Sequence, residues 1–225
     1  TERGLGAGAR AVLISGPSKF ADKTVVLGAN EGALGAEPII SNSSCTTNAI
    51  APLLRTVDAQ LGIERAHVTT IHCYTSSQPM VDAPRGDLAR SRAGAESIVP
   101  TTTSAELELQ GILPQIGART SVAAVRVPSL SVSAIDVTLQ LKSAVGADLC
   151  AVVRAFAAAS DVIGITEDPC VSRDLRGRAE SLVLALPETQ AIGKTQLRLF
   201  GWYDNEWGFS ARMIDMAQRM VARSA

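Results

Sequence analysis

The sequence predicts a mixed α/β protein, and three features carry that expectation. Short β-branched runs broken by Gly, Pro and Asn have the pattern of buried strands joined by tight loops. Longer segments carry apolar residues at helical spacing. A later run alternates apolar and polar residues without a break, as a strand with one wet face must.

In chain order, "AVLIS", "TVVLGA" and "PIIS" are the first strands. The glycines of "GLGAG" precede the first of them, so they mark a helix-end turn, and "GANEGALG" lacks the lysine of a phosphate-binding loop. Ser43 or Ser44 then offers an N-cap for a helix that runs on toward Gly62. Pro52 falls inside that helix, where its missing N–H and its ring predict a kink. "RAHVTTIHCYT" and "SVAAVRVPS" are strand-like. In "AIDVTLQLK", Ile135, Val137, Leu139 and Leu141 alternate with Asp136, Thr138, Gln140 and Lys142, which makes the wet face. "ADLCAVVRAFAAAS" and the C-terminal "SARMIDMAQRMVARSA" are helical. In the second, Met213, Ile214, Ala217, Met220 and Val221 form the stripe expected to be buried, its methionines filling core rather than touching a cofactor.

With 225 residues, 46% of them apolar, the chain can bury a sizeable core as one large or two modest domains. A net charge of −1 with no long basic run offers no footprint for nucleic acid, and no apolar run is long enough to cross a membrane. The opening "TERGLGAGARAVLIS" lacks the layout of a secretory signal, so a cytoplasmic, reducing location is expected. The four cysteines are scattered without a C-x-x-C pair, and there are two histidines, so neither a zinc site nor a disulfide framework is suggested. Cys73 and Cys150 are expected to be small buried hydrophobes, and Cys170, beside a proline, to be inert.

Cys45 is different. It lies in "SNSSCTTNAI", among small hydroxyl and amide residues at the predicted start of a helix. Free N–H groups and the helix dipole stabilise a thiolate there, so its pKa is expected to fall below the free value of about 8.5. A base completes a nucleophile, and the candidates are His67 and His72. Their odd spacing along one strand puts them on opposite faces, so one can meet a cleft while the other meets solvent or packing.

Taken together, "SNSSCTTN", "HCYTSSQ", "IVPTTTSA", "VRVPSLSVSAIDVT" and "WYDNEWGFS" resemble, in order and spacing, the phosphorylating glyceraldehyde-3-phosphate dehydrogenase family. The resemblance runs from about residue 8 to the C-terminus. It implies a catalytic domain with a mostly antiparallel sheet at residues 45–208, preceded by strands of a Rossmann NAD-binding domain at 1–44. A C-terminal helix at 209–225 would pack back on that domain, usually within a homotetramer. On this resemblance Cys45 matches the nucleophile that adds to the substrate aldehyde, and His72 the base. Thr75 and Arg126 match the site for the substrate's own phosphate. Ser44, Thr46, Arg90, Thr103 and Ser104 match the substrate and attacking-phosphate contacts, with Arg92 the alternative to Arg90. Ser15 and Asn205 match contacts to NAD; NADP stays open, because the residue that decides between them would lie in the upstream part of the Rossmann domain.

The departures matter equally. Ser104 stands where the family has glycine, which requires backbone angles that tolerate a Cβ. Phe209 replaces the usual tyrosine, and "VSRDLRGRAESLVLALPETQ" fits the family's intersubunit loop poorly. No dinucleotide fingerprint is present, so by the resemblance residue 1 falls in the last part of the Rossmann domain. The 225 residues alone are therefore expected to reduce no NAD. The expected activity is oxidation of glyceraldehyde 3-phosphate to 1,3-bisphosphoglycerate through a cysteine thioacyl intermediate. The alternatives are erythrose-4-phosphate dehydrogenase, which resembles the chain less well at "HCYTSSQ", and a catalytically silent homologue kept for assembly or regulation.

Overall fold

The computed structural model describes residues 2–84 and 86–223. Its first helix, α1 (Glu2–Gly6), stops where Gly8 takes φ 93°, the left-handed turn expected of "GLGAG". Strands β1 (Val12–Ile14), β2 (Lys23–Thr24) and β3 (Ile39–Ser41) form a small parallel sheet in the order β1-β3-β2. The expected strand "TVVLGA" is cut short at Thr24. Asn30 holds this segment in a turn: its Oδ1 accepts from Val26 N at 2.8 Å and its Nδ2 donates to the Thr24 carbonyl at 3.1 Å. Val25 N still donates to the Ser41 carbonyl of β3 at 3.0 Å, and beyond it the fully buried Val25 and Val26 side chains carry the apolar run into the core.

Helix α2 (Cys45–Leu61) begins at the Ser44 cap, whose Oγ accepts from Thr47 N at 3.2 Å. It runs through Pro52 as one element and ends at Gly62, with φ 68°. Asp58 seals that end by accepting from Ile63 N at 2.7 Å. Ile50, Leu53, Leu54 and Val57 are fully buried along the helix.

The second sheet contains β4 (Ile63–Cys73), β5 (Val99–Thr101), β6 (Thr120–Val127), β7 (Ser133–Leu141), β8 (Ile163–Thr166), β9 (Leu182–Ala185), β10 (Gln190–Ile192) and β11 (Gln196–Tyr203). Its order is β5-β6-β4-β7-β11-β9-β8, with β10 paired to β11. Only β4 with β6 and β8 with β9 run parallel, so the sheet is mostly antiparallel as expected. The alternation predicted for β7 is realised: Ile135, Val137, Leu139 and Leu141 are buried. Register stacks them on like neighbours, Val137 beside Val68 and Leu199, Leu139 beside Ala66 and Leu197. That apolar face packs into one core with α2, α3 (Ala105–Ile112) and α4 (Pro114–Gly117).

Two helical expectations need correction. In α5 (Leu149–Ala158) the buried residues are Val153 and Phe156, and Cys150 is exposed, not buried. It sits about 90° round the helix from the centre of that stripe. In α6 (Trp207–Ala222) the buried line is Gly208, Arg212, Met216 and Met220, while Ile214 and Val221 are 60% and 59% exposed. Gly208 sets this orientation: a Cβ there would lie 2.6 Å from the Glu180 carbonyl oxygen. Arg212 can be buried because its guanidinium pairs with Asp215 at 2.6 Å. No helix among the described residues is long and apolar enough to cross a membrane.

Candidate active site

The head of α2 meets the C-terminal end of β4. Register places His72 beside Arg126 of β6, and these segments converge with Arg90 and residues 101–104 on one cavity of about 290 Å³. Ser44, Cys45, Thr46, His72, Arg90, Thr103, Ser104 and Arg126 all line it. Clefts of about 620 and 660 Å³ elsewhere on the surface contain no cysteine. Among the described residues no cluster of His, Cys, Asp and Glu could hold a metal ion.

Cys45 Sγ lies 3.5 Å from His72 Nε2. His67 is exposed on the other face of β4, as the odd spacing requires, and its Nδ1 meets Ser121 Oγ at 2.8 Å. The other nitrogen of His72, Nδ1, has two close neighbours, the Cys73 carbonyl oxygen at 2.7 Å and Arg126 Nη1 at 2.6 Å, with Cys73 Sγ farther off at 3.8 Å. It can donate to the first or accept from the second, but one nitrogen cannot do both at once. Arg126 Nη1 itself donates to the Cys73 carbonyl at 2.8 Å. The imidazole edge packs against Tyr203, centroids 5.9 Å apart. Tyr203 is buried, with its OH 3.0 Å from Thr46 Oγ1 and 2.7 Å from Thr70 Oγ1. That triad ties the first turn of α2 to β4 and β11 across the sheet.

Electrostatics reverse one expectation. Burial pushes the Cys45 thiol up to about 11, ahead of the opposing hydrogen bonds from Thr46. Burial also holds the His72 imidazolium down at about 4, with the Arg126 charge acting in the same direction. The resting pair is thus neutral thiol and neutral imidazole rather than a preformed thiolate, because desolvation outweighs the helix terminus. For His72 the folded value lies below the unfolded one. The unfolded chain therefore binds the extra proton first, and stability falls as pH drops from about 6.5 to about 4. The loss expected from this group is on the order of 3 kcal/mol. Denaturant melts of His72→Gln across that range should be flatter than those of the parent by this amount; parallel curves would contradict the burial argument.

The remaining predicted residues separate into those gathered at the cavity and those outside it. Arg90 donates from Nε to Thr101 Oγ1 at 2.7 Å and from Nη2 to Thr102 Oγ1 at 2.6 Å, whereas Arg92 pairs at the surface with Asp82 at 2.8 Å. Ser104 has φ −83° and ψ −8°, helical angles that accept a Cβ, so the loss of glycine brings no backbone strain. Thr75 lies outside the cavity lining, with its hydroxyl 2.9 Å from Ser77 Oγ. Ser15 is exposed just beyond β1. Asn205 lies outside the cavity lining, its Oδ1 accepting from Cys73 Sγ at 3.3 Å and Ser133 Oγ at 3.2 Å.

Residues outside the predicted set also build the site. Glu108 of α3 reaches the α2 terminus, where its Oε2 accepts from Ser44 N at 3.2 Å, from Thr47 Oγ1 at 2.7 Å and from Ser43 Oγ. Its Oε1 accepts from Ser104 Oγ at 2.5 Å. Ser43, buried with φ 61°, is held in the left-handed region in this network. The serine-to-glutamate spacing in "SAELE" is the only sequence signal that points to Glu108, and it reads equally as an ordinary acidic first turn.

A helix-terminal thiol facing an imidazole, with guanidinium and hydroxyl donors around them, defines a cysteine site suited to anionic carbonyl substrates. The pattern described as "Glyceraldehyde 3-phosphate dehydrogenase, C-terminal domain" matches residues 44–205, and the chain belongs to that family. It is 40% identical over 224 residues to "Glyceraldehyde-3-phosphate dehydrogenase 2" of Bacillus subtilis, covering 96% of this chain and 65% of that protein. It is 38% identical over 224 residues to the Geobacillus stearothermophilus glyceraldehyde-3-phosphate dehydrogenase, covering 97% and 67%. The Borreliella burgdorferi relative is 37% identical over 221 residues. The chain spans about two thirds of the length of these relatives, 65% and 67% in the first two.

Proposed function

We propose that this chain carries the thiol chemistry of an NAD-linked phosphorylating oxidation of D-glyceraldehyde 3-phosphate to 1,3-bisphosphoglycerate, a step of glycolysis and gluconeogenesis. The observation that carries this reading is Cys45 Sγ at 3.5 Å from His72 Nε2 in a cavity shared with Arg126 and Arg90. Sγ adds to the aldehyde carbon while His72 Nε2 takes the thiol proton and returns it to the new oxygen. Because the resting pair is neutral, proton transfer accompanies addition instead of preceding it. His72 takes the hydroxyl proton again as the carbon is oxidised, leaving a thioacyl group on Cys45. Attack of phosphate on the thioacyl carbon breaks the C–S bond, and the imidazolium reprotonates the sulfur.

Nε2 is a base only when Nδ1 carries the proton and donates to the Cys73 carbonyl. Arg126 competes for Nδ1 and opposes that tautomer; when it turns to the substrate's phosphate the competition ends, so substrate binding speeds activation of the thiol without being required for it. NAD, when bound, supplies the hydride acceptor. Asn205 fits its carboxamide: with Oδ1 engaged by Cys73 and Ser133, Nδ2 is the group left to donate. Ser15 would add a second contact. The reading implies a homotetramer in the cytoplasm, as the family resemblance suggests.

The test is turnover of a full-length form with glyceraldehyde 3-phosphate and with erythrose 4-phosphate, using NAD and NADP in turn. The triose with NAD is expected to give the highest kcat/KM. Preference for the tetrose would favour the alternative enzyme, and a folded protein whose Cys45 forms no acyl adduct with any ester would favour a silent homologue.

A further inference from the structure

The Ser44 and Ser104 hydroxyls, which the family resemblance matches to the attacking phosphate, already donate to an anion from the chain itself. Glu108 Oε2 lies 3.2 Å from both Ser44 N and Ser44 Oγ and 2.7 Å from Thr47 Oγ1, with Ser43 Oγ also donating to it. Its Oε1 takes the Ser104 hydroxyl at 2.5 Å. Each hydroxyl has one proton to give, so Ser44, Ser104 and Thr47 cannot serve this carboxylate and a phosphate together. Of the other two contacts, Arg90 is turned onto Thr101 and Thr102, while Thr103 Oγ1 accepts from Ala105 N at 3.2 Å and keeps its own proton to donate. Glu106, the other acid in the first turn of α3, makes an unrelated bond to Val122 N at 3.1 Å, so entry into this cluster is particular to Glu108.

We propose that Glu108 is the residue that sets acyl-acceptor choice in this protein: it occupies the acceptor-anion subsite, and inorganic phosphate must displace it before attacking the thioacyl carbon. Two anions on shared donors repel, whereas water needs none of those donors. Water therefore competes as acceptor. Its oxygen bonds to the acyl carbon, the C–S bond breaks, sulfur recovers a proton through His72, and the product is the free acid instead of the acyl phosphate. The inference rests on Cys45 being the acylated nucleophile.

The experiment acetylates the chain with p-nitrophenyl acetate and follows loss of the adduct on Cys45 by intact mass, over a range of inorganic phosphate concentrations. In the parent, release is expected to be carried mainly by water and to depend weakly on phosphate. In Glu108→Gln and Glu108→Ala, phosphate should accelerate release with a half-saturating concentration lower by about tenfold or more. A merely structural role for Glu108 would slow acylation and both release routes together, leaving their ratio unchanged, and would overturn the proposal. So would equal phosphate dependence in parent and variants. Should the variants fold poorly, the parent alone decides: release of the acetyl group should stay nearly independent of phosphate up to high concentration, and a strong, saturable acceleration would show the subsite to be open. If Cys45 takes no acetyl group while the chain stays folded, the reading of Cys45 itself fails and this inference falls with it. Normal acetylation with unchanged partition sinks the Glu108 proposal alone.

Discussion

His72→Asn is expected to lower turnover of a full-length form by about 10²–10⁴-fold, the usual range for lost acid–base assistance. The argument is strengthened by the neutral resting pair. With burial raising the thiol to about 11, almost no thiolate exists near neutral pH unless a base takes its proton during addition. The imidazole at 3.5 Å is the base in reach, and asparagine cannot accept that proton. The effect should fall on kcat and on the rate of Cys45 acylation, with KM for the sugar phosphate little changed, because the Arg126 guanidinium and its bond to the Cys73 carbonyl remain. A variant that acylates at the parent rate would remove His72 from the mechanism.

Tyr203→Ala is expected to cost about 3–5 kcal/mol, the range for deleting a large buried aromatic side chain. Tyr203 is 2% exposed, and its removal leaves the Thr46 and Thr70 hydroxyls facing a cavity. Tyr203→Phe keeps the volume and loses only the bridge, so its cost should be about 1–3 kcal/mol. Since Thr46 follows the nucleophile directly, the phenylalanine variant should also loosen the α2 terminus. Chemical denaturation measures the first effect, and hydrogen exchange at the Thr46 and Thr47 amides measures the second. Equal stability of the two variants would show that the hydroxyl, not the ring, dominates.

Much of the fold could be read in advance because periodicity is a local property. The alternation in β7 survives as Ile135, Val137, Leu139 and Leu141 facing the core, and the odd spacing of His67 and His72 survives as one exposed and one buried ring. The Ser44 cap and the Gly62 stop were likewise visible, since both act through bonds to near neighbours. Local rules of periodicity failed where a particular side chain or a close backbone approach intervened. Asn30 bent the "TVVLGA" run out of the sheet, and the close approach of Gly208 to Glu180 rolled α6 onto Arg212, Met216 and Met220.

The candidate site divides in the same way. Residue types and motif order in the sequence alone identified Cys45, His72, Arg126, Arg90 and Ser104, and those five line one cavity. Only the tertiary structure decided how they act on one another. Strand pairing set Arg126 against His72 Nδ1, and packing of α3 on α2 brought Glu108 onto the donors of Ser44 and Ser104. Burial turned the expected thiolate into a neutral thiol. The physical reason is range: capping and periodicity are settled within a few residues of chain, whereas desolvation, tautomer choice and competition for donors depend on which segments the fold brings within a few ångströms.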